Sequence, residues 1–192
     1  MNIRPKALIA VLLITTGCAK PLEVASISEI KPPPGAGGID VYAARRAAGE
    51  PVPEFAGEQL LEIRSYREPE DSQVAPLEFA GAACQVKASN FTADVVTPAK
   101  LRVPLYRNAT SPLGVSCQME GYQPRMVTSG VHNISQQQRY STGSSVGLIG
   151  VAVALAADTL ADKSQDEYRY RIIQVQMAPE KRSRNAAQAA AR

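Results

Sequence analysis

Between Cys84 and Tyr122 the chain alternates apolar and polar residues with period two, in short runs broken by turn residues. Ala82, Cys84 and Val86 fall on one face, opposite Ala83, Gln85 and Lys87. After Ser89-Asn90, the residues Phe91, Ala93 and Val95 oppose Thr92 and Asp94. A second turn at Thr97-Pro98-Ala99-Lys100 leads to Leu101, Val103 and Leu105, and after residues 107–112 come Leu113, Val115 and Cys117. Runs of this length and period predict half-buried β-strands, each with one face on a core. Pro104, which brings no N–H to a ladder, marks its run as an edge strand. Glu120-Gly121-Tyr122 closes the series as a turn.

The same reading extends outward. Gly57–Arg67 predicts a strand with Leu61 and Ile63 on one face, followed by an acidic loop over 68–76 whose spacing fits no EF-hand. Beyond Gln123, one strand is expected near Arg125–Val131, then a polar stretch, Ser135-Gln-Gln-Gln-Arg139. Tyr168–Met177 reads as a final strand whose alternation slips at Ile172-Ile173, as at a bulge or a change of exposed face. The expected fold class is therefore mainly β: a small antiparallel β-sandwich over residues 57–178.

One segment breaks the pattern. Val146–Ala157, VGLIGVAVALAA, is apolar on every side. As a helix it would extend about 18 Å, short of the roughly 30 Å hydrocarbon core of a bilayer. It is expected to form a short helical insert, about residues 143–162, in which Ile149 and Val153 cover one face of the sandwich. The alternative is a segment that meets a partner or lipid. Residues 179–192, rich in Ala, Arg and Gln, are expected as a flexible basic tail.

The N-terminal pattern is different again. Arg4 and Lys6 precede an uninterrupted apolar run, Ala7–Ile14, and then Thr15-Thr16-Gly17-Cys18. A basic start, a short apolar core and small residues are the marks of a secretory signal, too short to be retained as a span. Residues 14–18 resemble the lipobox of bacterial lipoproteins, with Thr15 where that family prefers Leu. The resemblance implies cleavage after Gly17, a Cys18 diacylated with palmitate-type chains, and a membrane as the partner of that residue. Ala19 in place of an Asp then implies the outer membrane, facing the periplasm. Residues 18–56, with Lys31-Pro-Pro-Pro-Gly-Ala-Gly-Gly38 and Glu50-Pro-Val-Pro-Glu54, are expected as a flexible tether holding the domain off the bilayer, with a helical turn near 41–48.

Charge and cysteine content follow from this division. The chain carries 21 Lys+Arg and 18 Asp+Glu. Arg4 and Lys6 belong to the signal, so without residues 1–17 it holds 19 against 18 and has no basic stripe for nucleic acid. Of three cysteines, lipidation of Cys18 leaves Cys84 and Cys117 to pair across an exported domain, with two buried thiols as the alternative.

The turn at Thr97-Pro98, the Leu113-x-Val115 pattern and Glu120-Gly121-Tyr122 are similar to the PEGA-type domain, a small β-sandwich of bacterial envelope proteins. A group of small uncharacterised bacterial lipoproteins with a similar strand layout between paired Cys is closer still; Phe91 departs from the Gly-Trp they tend to carry. The resemblance covers about residues 77–177 and implies no catalytic residue. No nucleophile–base pair, clustered metal ligands or phosphate loop is legible, and His132 stands alone in a polar run. The triplets at Asn90, Asn108 and Asn133 match the N-glycosylation pattern and are expected unmodified in a bacterial lipoprotein. The sequence thus points to a lipid-anchored, non-catalytic binding or structural module of the cell envelope, without cofactor or metal and with an unidentified envelope protein as its partner. An envelope hydrolase, or an oligomeric membrane-active subunit using 146–157, are the alternatives.

Overall fold

The computed structural model describes residues 20–24, 27–69, 74–107, 109–144 and 162–180. Cys18, the apolar segment 146–157 with Ile149 and Val153, and the tail from residue 181 lie outside them, as does Asn108.

Two sheets share one hydrophobic core. The five-stranded sheet is built on an antiparallel pair, β2 (Phe55–Arg67) and β6 (Ala99–Tyr106). β1 (Ile27–Glu29) joins the far side of β6 in parallel, and β11 (Ile173–Met177) joins the far side of β2, also in parallel. Short β3 (Leu77–Phe79) pairs with the end of β2. The second sheet runs in the order β5 (Thr92–Val96), β4 (Ala83–Lys87), β7 (Leu113–Gln118), β8 (Arg125–Ser129), antiparallel throughout.

The inward faces are those the alternation predicts, because a period-two strand with one buried face leaves its register no freedom. Leu61, Ile63, Leu101, Val103 and Val175 from one sheet and Val86, Ala93, Leu113 and Val115 from the other are almost wholly buried. Burying a Leu, Ile or Val side chain contributes about 1.5–3 kcal/mol each. β5 passes to β6, and so from one sheet to the other, through Thr97-Pro98, whose peptide bond is cis. At that corner Ser65 Oγ donates to the Phe79 carbonyl at 2.7 Å and meets Thr97 Oγ1 at 2.6 Å.

Three expectations are corrected. Residues 27–53 are not a free tether. β1 pairs with β6, and Lys31 bridges Thr92 of β5 through both backbone groups, so this stretch ties the two sheets together along one edge. Ile30 and Val41 are buried in the core, and α1 (Ala43–Ala47) follows as the anticipated helical turn. A three-residue strand between proline-rich segments is too short to show alternation.

Pro104 does not mark an edge strand, since β6 lies between β1 and β2. β1 covers β6 only over Lys100–Arg102, so Pro104, opposite Glu58, sits beyond the reach of the third strand.

The final strand is two. β10 (Tyr168–Tyr170) pairs with β9 (Val131–Asn133) in a separate small sheet, and the chain changes sheets through Arg171 and Ile172 before β11. The slip in alternation is that change of sheet.

The polar stretch 135–139 is helical, within α2 (Ile134–Ser144). It has no apolar stripe to reveal it. Its start is held by Asn133, whose Oδ1 accepts from Gln136 N at 2.8 Å as an N-cap, and by Ile134 N donating to the Glu167 carbonyl.

At the opposite edge from β1, Gly121 and Tyr122 turn beneath the end of β11: Gln123 N donates to Ala178 O and Glu180 N to Gly121 O. Gly121 has φ of 78°, a conformation costly for any residue with a Cβ. Main-chain bonds thus tie the two sheets together at two places, Lys31 with Thr92 and the Gly121–Gln123 turn with Ala178–Glu180.

Candidate functional site

The cysteines singled out in the sequence meet across adjacent strands. Cys84 and Cys117 are register partners of β4 and β7, with Cα atoms 4.0 Å apart, and form a disulfide. Both are buried, so the bond belongs to the core and is not placed as an exposed redox pair. Cys18 lies outside the described residues. His132 lies on β9 and lines a depression of about 680 Å³ with Gln136, Gln137, Tyr168 and Arg171. Among the described residues no three His, Cys, Asp or Glu side chains gather as a metal site requires.

Three polar clusters that sequence reasoning did not reach are formed by residues far apart in the chain. The first lies on the outer face of the five-stranded sheet. Arg64 and Glu78 pair at 2.6 Å, both side chains 12% exposed, and Arg64 also bonds Glu62 at 3.0 Å. Together they grip one residue of the N-terminal stretch: Leu22 N donates to Glu78 Oε2 at 3.0 Å, and Arg64 Nη1 donates to the Leu22 carbonyl at 3.1 Å. An ion pair here does what a neighbouring strand would do, satisfying both backbone groups of a single residue. The acids raise the Arg64 pKa further, Glu78 foremost. On the same face Arg102 pairs with Glu29 and Glu58, and Lys100 with Glu62.

The second cluster fastens the segment before β2. Tyr106 is buried, with Tyr42 and Phe55 edge-on to its ring at 5.0 and 5.9 Å. Its hydroxyl accepts from Val41 N at 3.0 Å and donates to Asp40 Oδ1 at 3.3 Å. Asp40 in turn binds Arg46 at 2.5 Å, and Arg46 donates to the Pro53 carbonyl. Burial drives the Tyr106 hydroxyl well above the usual phenol range, so it remains a neutral donor.

The third joins α2 to the stretch before β10. Asp166 receives Arg139 through both oxygens, at 2.8 and 3.0 Å, and Asn133 Nδ2 at 2.6 Å. Arg139, then Asn133, hold its carboxyl below the usual range. The two ends of the chain that flank residues 145–161 are thereby fixed to each other.

A shallow depression of about 560 Å³ lies on the outer face of the four-stranded sheet, lined by Gln85, Asp94, Ser116, Gln118 and their neighbours. It presents neutral side chains, Ser28 of β1 among them, and one carboxylate, Asp94, which is itself ion-paired with Lys31, a surface suited to contact more than to bond-making. No protein-family model matches the chain, and comparisons with curated proteins and with solved structures gave no match.

Proposed function

We propose that this protein is a lipid-anchored, non-catalytic binding or structural module of the bacterial cell envelope, held by an acylated Cys18 in the outer membrane and facing the periplasm. The observation that carries the reading is the division of its three cysteines. Cys84 and Cys117 are spent on a buried disulfide, a bond that persists in oxidising compartments. That leaves one cysteine, and it closes a lipobox-like stretch behind an export-type apolar run.

The buried polar groups support the non-catalytic part. Ser65 and Thr97 bond each other, Tyr106 bonds Val41 N and Asp40, and Asp166 bonds Arg139 and Asn133, so that these groups join separate parts of the fold. Likeness to PEGA-type sandwiches belongs to the same proposal, as does an envelope protein as the partner.

The test is intact-mass analysis of protein from bacterial membranes, together with fractionation of the Cys18→Ser variant. Diacylglycerol on Cys18, and loss of the variant from membranes or accumulation of its precursor, are the expected results. An unmodified Cys18 would overturn the anchor. Crosslinking in intact cells then separates the partner classes, and turnover of an envelope substrate by purified protein would overturn the non-catalytic reading.

A further inference from the structure

The grip of Arg64 and Glu78 on Leu22 lies only four residues from Cys18. Four residues, however extended, span at most about 14 Å. The headgroup and interfacial layers together add only about 10–15 Å to the hydrocarbon core. If Cys18 sits in that layer, Leu22 can be no more than about 14 Å away from it, and the sheet whose Arg64 and Glu78 side chains hold Leu22 lies only a side chain's length further. A free tether of residues 18–56 would have imposed no such limit.

Resting on the lipid-anchor reading, we infer that the outer face of the five-stranded sheet around Arg64 and Glu78 is a membrane-apposed surface, whose partner is the phospholipid headgroup layer.

The composition of the face agrees. Its carboxylates are ion-paired: Glu29 and Glu58 with Arg102, Glu62 with Arg64 and Lys100, Glu78 with Arg64. Four carboxylates share three cations, so an anionic bilayer meets a nearly balanced face and not a strongly acidic field. Leu22, Ile27 and Leu60, between 39% and 49% exposed, are the apolar side chains among these charges. They contribute contact without the continuous apolar patch that insertion would need. The four-stranded sheet, stacked roughly 10 Å further away, is turned outward. Its depression beside Gln85 and Ser116 then faces the open compartment.

The experiment uses the full acylated chain in vesicles of phosphatidylethanolamine and phosphatidylglycerol containing a headgroup-attached quencher. A fluorophore is placed, with the Cys84–Cys117 bond left oxidised, at Gln174→Cys or at Thr128→Cys. Gln174 is exposed and pairs with Arg64, whereas Thr128 is exposed on the outer face of the other sheet. Quenching at position 174 is expected to exceed that at 128 by about threefold or more, given the spacing of the sheets.

A Gly/Ser insert of about eight residues between Ala19 and Lys20 leaves the folded part untouched and should erase the contrast. The double variant Arg64→Met, Glu78→Gln should erase it too, with its melting temperature read alongside. Equal quenching at the two positions in protein that floats with the vesicles would overturn this inference alone. A contrast that survives the insert would uphold the face as membrane-apposed and show that its own side chains, and not the short linker, hold it there. Protein that fails to float would overturn the anchor and this inference with it. Quenching that follows protein density and not labelled lipid would assign the face to a second copy, against the inference.

Discussion

Arg139 and Asp166 face each other through two parallel hydrogen bonds, at 2.8 and 3.0 Å, with the carboxylate almost wholly buried and the guanidinium 22% exposed. A bidentate pair of this kind is directional, and it fixes α2 relative to the start of β10. Asp166→Asn removes the charge and leaves Arg139 with a weak acceptor. The expected loss is about 1.5–3 kcal/mol, less than for a fully buried pair because Arg139 keeps some water. Hydrogen exchange should speed up in 131–144 and 163–170 while β2 and β6 keep their protection.

The pair also sets a pH dependence. The Asp166 pKa is lower in the folded protein than in the unfolded chain, so the unfolded state binds the proton first. Its contribution is complete above about pH 4 and is lost as pH falls through the depressed value. Acid should therefore loosen the α2 region before the sandwich core, and in Asp166→Asn that early step should vanish. Wild type and variant losing α2 protection at the same pH would refute the assignment.

The disulfide closes a loop with a sequence separation of 33. In the chain-entropy account such a loop contributes about 3.5–4 kcal/mol by restricting the unfolded chain. Cys84→Ala with Cys117→Ala should lower the denaturant midpoint accordingly, with the strands still formed, because Val86 and Val115 continue the same buried face. A midpoint within experimental scatter of wild type would show that the bond constrains little.

Ser65 and Thr97 make a separate case. Ser65 Oγ has one hydrogen, which goes to the Phe79 carbonyl, so the Thr97 hydroxyl is the donor between them. Ser65→Ala should cost about 1–3 kcal/mol, since a buried hydroxyl and carbonyl lose their partner. Combined with Thr97→Val, the double variant should lose less than the two single losses summed, because Thr97 no longer has a stranded donor. Strict additivity by chemical denaturation would deny the contact.

How much of this was legible follows from the range over which each signal acts. The inward faces of Leu61–Ile63, Leu101–Leu105 and Leu113–Cys117 could be read locally, since alternation repeats every two residues and burial enforces it. The pairing of Cys84 with Cys117 came from arithmetic on three cysteines. Arg64, Glu78 and Leu22 could not be found in the same way: they lie 14 and 56 residues apart, and charged residues on an outward face look alike whether solvated or clasped. α2 carries no apolar period, being held by Asn133, Arg139 and Asp166. Gly121 was legible for a physical reason, as a turn that needs positive φ.

The segment misread as tether supplies the last expectation. Tyr106 holds residues 40–42 through one hydroxyl that serves Val41 N and Asp40, while its ring packs on Tyr42 and Phe55. Tyr106→Phe keeps the packing and removes only the oxygen. Val41 N then loses its acceptor, and the expected cost is about 1–2 kcal/mol. Because Arg46 still binds Asp40 and Pro53, the segment should loosen without detaching. Amide exchange at Val41 is the decisive measurement: it should accelerate at least tenfold, the equivalent of about 1.4 kcal/mol, with β4 and β7 unchanged. Tyr106→Ala should do more, releasing Tyr42 and Phe55 as well and exposing 30–53 to proteolysis. If Val41 exchanges in wild type as fast as in an unstructured peptide, residues 40–53 are a tether after all and the domain begins at β2.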